Sequence, residues 1–205
     1  MPVIGLTGGV ATGKSTFTPL LLRELPMEHF DSDQHVHDLL RADDSVRDAT
    51  IAAFGPGICD ASGRPDRKKL RDIVFGNDSL RKQLENILHP AVRARWTSLA
   101  GNATVPGRWL LVDIPLLYET GATGQFDRVI VVACHPETQL SRLTEHRKLE
   151  PETARRILRA QLALAEKIRQ ADHVIWNDST VSNLDGQSRL LADLLRRSLA
   201  GDTAP

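Results

Sequence analysis

The sequence predicts an α/β fold: a doubly wound, five-stranded parallel sheet with a helical insert and a helical lid. Three observations lead there. Short, near-continuous apolar runs alternate with amphipathic stretches of helical period along most of the chain. The first run, Val3-Ile4-Gly5-Leu6, leads into residues 8–15, which fit G-x-x-x-x-G-K-[ST] and make the sheet P-loop NTPase-type. A later run, 109–113, ends on a carboxylate, Asp113, at the strand end where such sheets take their ligands.

Composition sets the outer bounds. A chain of 205 residues suits one α/β domain with an inserted subdomain. The expected division is a core of about 1–41 and 102–205, an insert of about 42–101 and a lid of about 140–160. Lys+Arg and Asp+Glu both number 26, so no global basic field points to nucleic acid or an anionic membrane as partner. Cys59 and Cys134 sit in no metal or redox spacing and read as reduced thiols of a cytoplasmic protein. The N-terminal residues enter a strand without a basic n-region, so no signal peptide is expected. No apolar run approaches the roughly 20 residues of a membrane span.

The first strand and its glycine-rich turn lead into a helix predicted over 17–25, stopped by Pro26. Glycines let the backbone curl and aim its N–H groups at phosphate oxygens. The helix adds the positive end of its dipole. The positions for a triphosphate are Gly8, Ala11, Thr12, Gly13, Lys14, Ser15 and Thr16. Lys14 can reach the β- and γ-phosphates, and the Ser15 hydroxyl can ligate Mg²⁺. The motif implies ATP-type nucleotide binding without naming the acceptor.

His29-Phe30-Asp31 reads as the end of a second strand, followed by a helix to about residue 40. Asp31 or Ser32 suits the N-cap of that helix, which leaves Asp33 as the carboxylate for chemistry. His35-x-His37 is too closely spaced to present both rings to one ion and reads as structural. From 42 to 101 helical patterns alternate with Gly/Pro punctuation: 44–54, 66–75, 78–88 and 90–99. This insert carries Arg67 and many other cations, either solvated helix faces or a lining for an anionic acceptor.

A loop at 101–107 precedes the strand 109–113. Asp113 suits the Walker-B role, holding Mg²⁺ directly or through water, with a turn or cap as the plain alternative. The apolar stretch Ile114 to Glu119 either walls a pocket or packs on the sheet. A fourth strand is predicted over 127–133. One helix follows from His135 to about Arg147, with Pro136 in its first turn, and another opens at Pro151. The cationic segment between them reads as a lid whose Arg147 neutralises the transferring phosphoryl group, or as an exposed helical hairpin. The fifth strand, 171–177, ends on Asn177, which either bonds an adenine edge or caps the next loop. A terminal amphipathic helix over 184–199 and a frayed tail close the chain.

Taken together, these motifs resemble the dephospho-CoA kinase family. The likeness runs from Gly5 to about Asn177. It rests on the phosphate loop, Asp31-x-Asp33 with His37, Pro65-Asp66-Arg67, Leu88-His89-Pro90, Asp113 through Glu119, Arg159-Ala160-Gln161 and 171–177. The family usually has Gly where Ala11 stands, and often Asp where Lys148 follows the lid arginine. The resemblance implies transfer of the γ-phosphate of ATP to the ribose 3′-hydroxyl of dephospho-CoA, giving coenzyme A and ADP. It implies Asp33 as general base and acceptor-orienting carboxylate. Lys14, Mg²⁺ on Ser15, and Arg147 would carry the electrostatic part. Arg67, His89, Leu116 and Leu117 would hold the acceptor's pyrophosphate and pantetheine arm. A monomer or weak homo-oligomer, with no organic cofactor beyond ATP, is expected. Another small nucleoside or nucleotide kinase is the alternative enzyme, but Trp96 is the only aromatic of the insert besides Phe54 and Phe75. A GTP switch would require N-K-x-D, which Asn177-Asp178-Ser179-Thr180 does not match.

Overall fold

The computed structural model describes residues 1–102 and 108–199. One sheet contains β1 (Val3–Gly8), β2 (Met27–Asp31), β3 (Trp109–Asp113), β4 (Arg128–Ala133) and β5 (His173–Trp176). Their order is β2-β3-β1-β4-β5. β1 runs parallel to β3 and β4, and β4 parallel to β5. From β1 the chain goes to the edge strand β2, returns to β3 beside β1, then crosses to β4 and β5 on the other side, a doubly wound sheet as the sequence predicts.

The helices among the described residues are α1 (Lys14–Glu24), α2 (Ser32–Ala42), α3 (Asp44–Phe54), α4 (Arg67–Val74) and α5 (Asp78–Gly101), then α6 (Pro136–Ser141), α7 (Pro151–Arg159), α8 (Leu164–Gln170) and α9 (Val181–Leu199). The chain divides into two compact units: residues 1–29 with the described residues from 108 on, and Phe30–Asn102.

In the first unit, alternation along the strands sorts side chains to two faces. Ile4, Leu6, Ile130 and Val132 meet Phe17 and Leu21 of α1 and Leu184, Leu191 and Leu195 of α9. Val129, Val131 and Ala133 form a second cluster with Leu117, against which Leu164 and Ile168 pack. Each fully buried aliphatic side chain contributes roughly 1.5–3 kcal/mol. At the outer edge, the Gln187 side chain donates to the Trp176 carbonyl and accepts from its N–H, both at 2.8 Å.

In the second unit, each of the α-helices α2 to α5 starts on an Asx cap. Asp31 accepts from the Gln34 N–H at 2.9 Å, Asp43 from Val46 at 2.9 Å, and Asn77 from Leu80 at 3.1 Å. Asp66 accepts from both Lys68 (2.7 Å) and Lys69 (3.0 Å). Leu88, Val92 and Trp96 make one buried stripe on α5, which packs against α2, α3 and α4.

Several predicted boundaries move. The first helix starts at Lys14 rather than residue 17, because the phosphate loop feeds directly into it. The two patterns at 78–88 and 90–99 are one helix, α5, with Pro90 inside. The helix expected from 135 to 147 changes character at Arg142, where a π-helical turn (Arg142–His146) takes over. Most of the predicted loop 101–107 and the tail lie outside the described residues, while Gly101 ends α5.

Candidate active site

The phosphate loop is built from residues that tolerate unusual backbone. Gly13 has φ +93°, and a Cβ there would lie 2.0 Å from the Asn177 amide nitrogen. Only glycine meets both demands. Ala11 also sits in the left-handed region, at φ 60°. The Thr12 hydroxyl and N–H both donate to the Gly9 carbonyl, at 2.9 and 3.3 Å, which tightens the curl. No side chain caps α1. The Thr16 N–H turns back to the Gly13 carbonyl at 2.9 Å, so the amides of Lys14 and Ser15 and the positive end of the dipole are what the helix offers an anion at the loop.

A set of polar side chains holds the loop from behind. The Arg142 guanidinium donates to the carbonyls of Ala11 (3.1 Å), Thr12 (3.2 Å) and Asn177 (2.8 Å). The Asn177 side-chain amide donates to the Thr12 carbonyl at 2.8 Å. Gln139 donates to the Val10 carbonyl at 2.7 Å, and Gln161 accepts from the Val10 N–H at 2.9 Å. Asn177 thus braces the loop, with one N–H of its side-chain amide given to Thr12. Arg142 and Gln139 carry no motif in the sequence that marks them. Gln161 stands only in a motif of the family resemblance, and its task was invisible there.

Lys14 and Asp113 form an ion pair at the loop. β1 and β3 are in register with Leu6 beside Asp113, so the strand end that launches the loop lies next to the carboxylate. Asp113 is buried, whereas Ser15 and Thr16 are exposed in the first turn of α1. A hydroxyl and a carboxylate are hard oxygen donors of the kind Mg²⁺ prefers. Among the described residues, no group of three or more His, Cys, Asp or Glu side chains stands ready as a metal cage. Mg²⁺ commonly uses one or two carboxylates with substrate phosphates and water, so this sparse donor set fits it.

The remaining predicted residues fall in different settings. Asp33 is exposed in the first turn of α2, and Asp31 is taken up in capping. Arg67 opens α4 and His89 lies within α5; both are exposed. Arg147 is exposed directly after the π-helical turn, where its N–H bonds the Arg142 carbonyl at 3.3 Å. Leu116 is half-buried. Leu117 is a correction: it is completely buried in the cluster with Val129, Val131 and Ala133 and has no surface to offer an acceptor.

A family model for dephospho-CoA kinase matches residues 2–183. The chain belongs to the dephospho-CoA kinase family. It is 42% identical over 178 residues to a dephospho-CoA kinase of Geobacillus kaustophilus, covering 86% of this chain and 88% of that one. Among solved structures, a protein of Thermus thermophilus superposes with a TM-score of 0.76 at 28% identity, covering 99% of this chain and 98% of that one. Dephospho-CoA kinase from Campylobacter jejuni superposes with a TM-score of 0.61 at 25% identity, covering 95% of this chain and 96% of that one.

Ala11 and Lys148 are the two non-glycine residues with positive φ among the described residues, at 60° and 55°. A left-handed residue with a Cβ costs roughly 1–2 kcal/mol, a cost Gly avoids and Asp or Asn lessens. Lys148 closes the π-helical turn, with the Leu149 N–H reaching the Leu143 carbonyl at 3.2 Å. At both positions the backbone takes a path that Gly would take more easily.

Proposed function

We propose that this protein is a dephospho-CoA kinase in activity as well as in family: it transfers the γ-phosphate of ATP to the ribose 3′-hydroxyl of dephospho-CoA, giving coenzyme A and ADP. This is the final step of coenzyme A biosynthesis. The observation that carries the reading is the Lys14–Asp113 pair at a formed phosphate loop, in a chain matched by the family model along residues 2–183.

In this reading the loop amides and Lys14 bind the triphosphate. The transition state of phosphoryl transfer is loose, so alignment and charge stabilisation dominate. The Asp33 carboxylate orients the 3′-hydroxyl and accepts its proton as the new oxygen–phosphorus bond forms. The bond from the γ-phosphorus to the bridging oxygen breaks, and ADP departs. Arg147 neutralises charge on the phosphoryl oxygens and helps exclude water. Ser15 and Asp113 would hold Mg²⁺, which when bound neutralises phosphate charge. Arg67 and His89 would meet the acceptor, with Leu116 as part of an apolar wall. Both cysteines are free, which suits a reducing cytoplasmic setting.

The test is a coupled assay of purified protein with ATP, Mg²⁺ and dephospho-CoA, with nucleoside monophosphates as controls. Turnover with dephospho-CoA alone is expected. Turnover confined to a nucleoside monophosphate would replace this reading with that of a nucleotide kinase.

A further inference from the structure

A second lysine lies behind the phosphate loop. Lys167 of α8 is fully buried. An ammonium group has three N–H donors, and water cannot reach this one. It has three acceptors: a Glu119 carboxylate oxygen at 2.8 Å, the Gly8 carbonyl at 3.3 Å and the Pro115 carbonyl at 3.5 Å. These three come from separate pieces of the site. Gly8 is the last residue of β1, where the phosphate loop begins. Pro115 follows Asp113 by two residues, and its carbonyl also accepts from the Thr7 hydroxyl at 3.0 Å. The same Glu119 oxygen that meets Lys167 accepts from the Leu162 N–H at 3.0 Å, in the connection between α7 and α8. One residue earlier, Gln161 holds the Val10 N–H.

Lys167 is buried, whereas the Glu119 it meets lies at the surface. A buried charge is a poor device for stability alone, since an apolar residue of the same volume often does as well or better. Here the Lys167 ammonium reaches backbone carbonyls where strand pairing ends, and a hydrophobic replacement would take one donor from each of them. The pair spans the two segments that present Lys14 and Asp113. We propose that Lys167 and Glu119 are positioning residues for phosphoryl transfer, setting the phosphate loop against the loop after Asp113 and anchoring both to the α7–α8 connection. The inference rests on the kinase reading above. It concerns residues that touch neither substrate, so they act through Lys14 and Asp113.

The test compares Lys167→Met, Lys167→Arg and Glu119→Gln with the unaltered protein in the same dephospho-CoA assay. Lys167→Met keeps most of the length of the side chain and removes its donors. It is expected to lower kcat at least tenfold while the KM for dephospho-CoA changes less than threefold, with Lys167→Arg recovering part of the loss. Glu119→Gln still accepts from Leu162 and leaves the fold intact; it is expected to lower kcat three- to tenfold. Should Lys167→Met fail to fold, Glu119→Gln alone decides. Variants that lose thermal stability but keep kcat and KM would overturn the proposal. An inactive unaltered protein would instead overturn the kinase reading.

Discussion

Lys14 pairs with Asp113 at the phosphate loop. Lys14→Ala is expected to cost at least 10²–10³ in kcat, the usual loss of one preorganised electrostatic group, with the circular dichroism spectrum unchanged. Asp33→Asn should lower kcat by about 10²–10⁴ and leave the KM for ATP near its original value, because a base acts on the acceptor. A change in ATP binding alone would remove Asp33 from the acceptor's side of the reaction. Two histidines give a pH dependence. Burial holds His35 below its ordinary pKa, with the charge of Arg95 adding to the effect; burial also lowers His173, against the pull of Asp172. The unfolded chain then takes up more protons than the folded one as pH falls through about 6.5, so stability declines there and levels off once the folded imidazoles are also protonated. Thermal midpoints measured between about pH 7.5 and 5 should drop less in the double variant His35→Gln/His173→Gln than in the unaltered protein. At this scale Lys14, Ser15 and Asp113 were legible because their spacing encodes a chemical task. Arg142 was not, nor was the bracing contact of Asn177, since a side chain that braces a carbonyl from 35 or 165 residues away leaves no local pattern.

The helices teach a different lesson about legibility. Pro90 reads as a boundary, since proline lacks the N–H that an interior position needs. α5 continues through it because Leu88, Val92 and Trp96 keep a single buried stripe at a spacing of four. Packing outweighs the lost hydrogen bond. Pro90→Ala should therefore raise the thermal midpoint, by a gain on the order of 1 kcal/mol or more from the restored bond. An unchanged or lower midpoint would mean that the helix has already absorbed the proline without cost. The π-helical turn at Arg142–His146 was equally hidden, because an i→i+5 bond leaves no mark in a hydrophobic period. Its effect is local and clear: Arg142 turns to the loop carbonyls, while Arg147 emerges exposed five residues later. The Asx caps, by contrast, were partly readable. Asp31 was one of two residues weighed for the cap of α2, and its hydrogen bond to Gln34 settles the choice.

For the whole molecule, the winding of the sheet was legible because parallel strands buried on both faces leave apolar runs that helices must separate. The Leu116-Leu117 segment was ambiguous for the same reason: an apolar pair reads alike whether it lines a pocket or fills a core. Ligand linkage gives a global test. ATP with Mg²⁺ at 100 times its Kd should stabilise the protein by about 2.7 kcal/mol, a rise in Tm of roughly 5–10 °C for a chain of this size. Lys14→Ala should abolish most of that shift. The outermost strand, β5, carries one more consequence. Its Trp176 amide and carbonyl are both engaged by Gln187, whose side chain imitates a neighbouring peptide unit. A stranger's backbone arriving at Trp176 would find both docking points of that residue already taken, which discourages edge-to-edge pairing there.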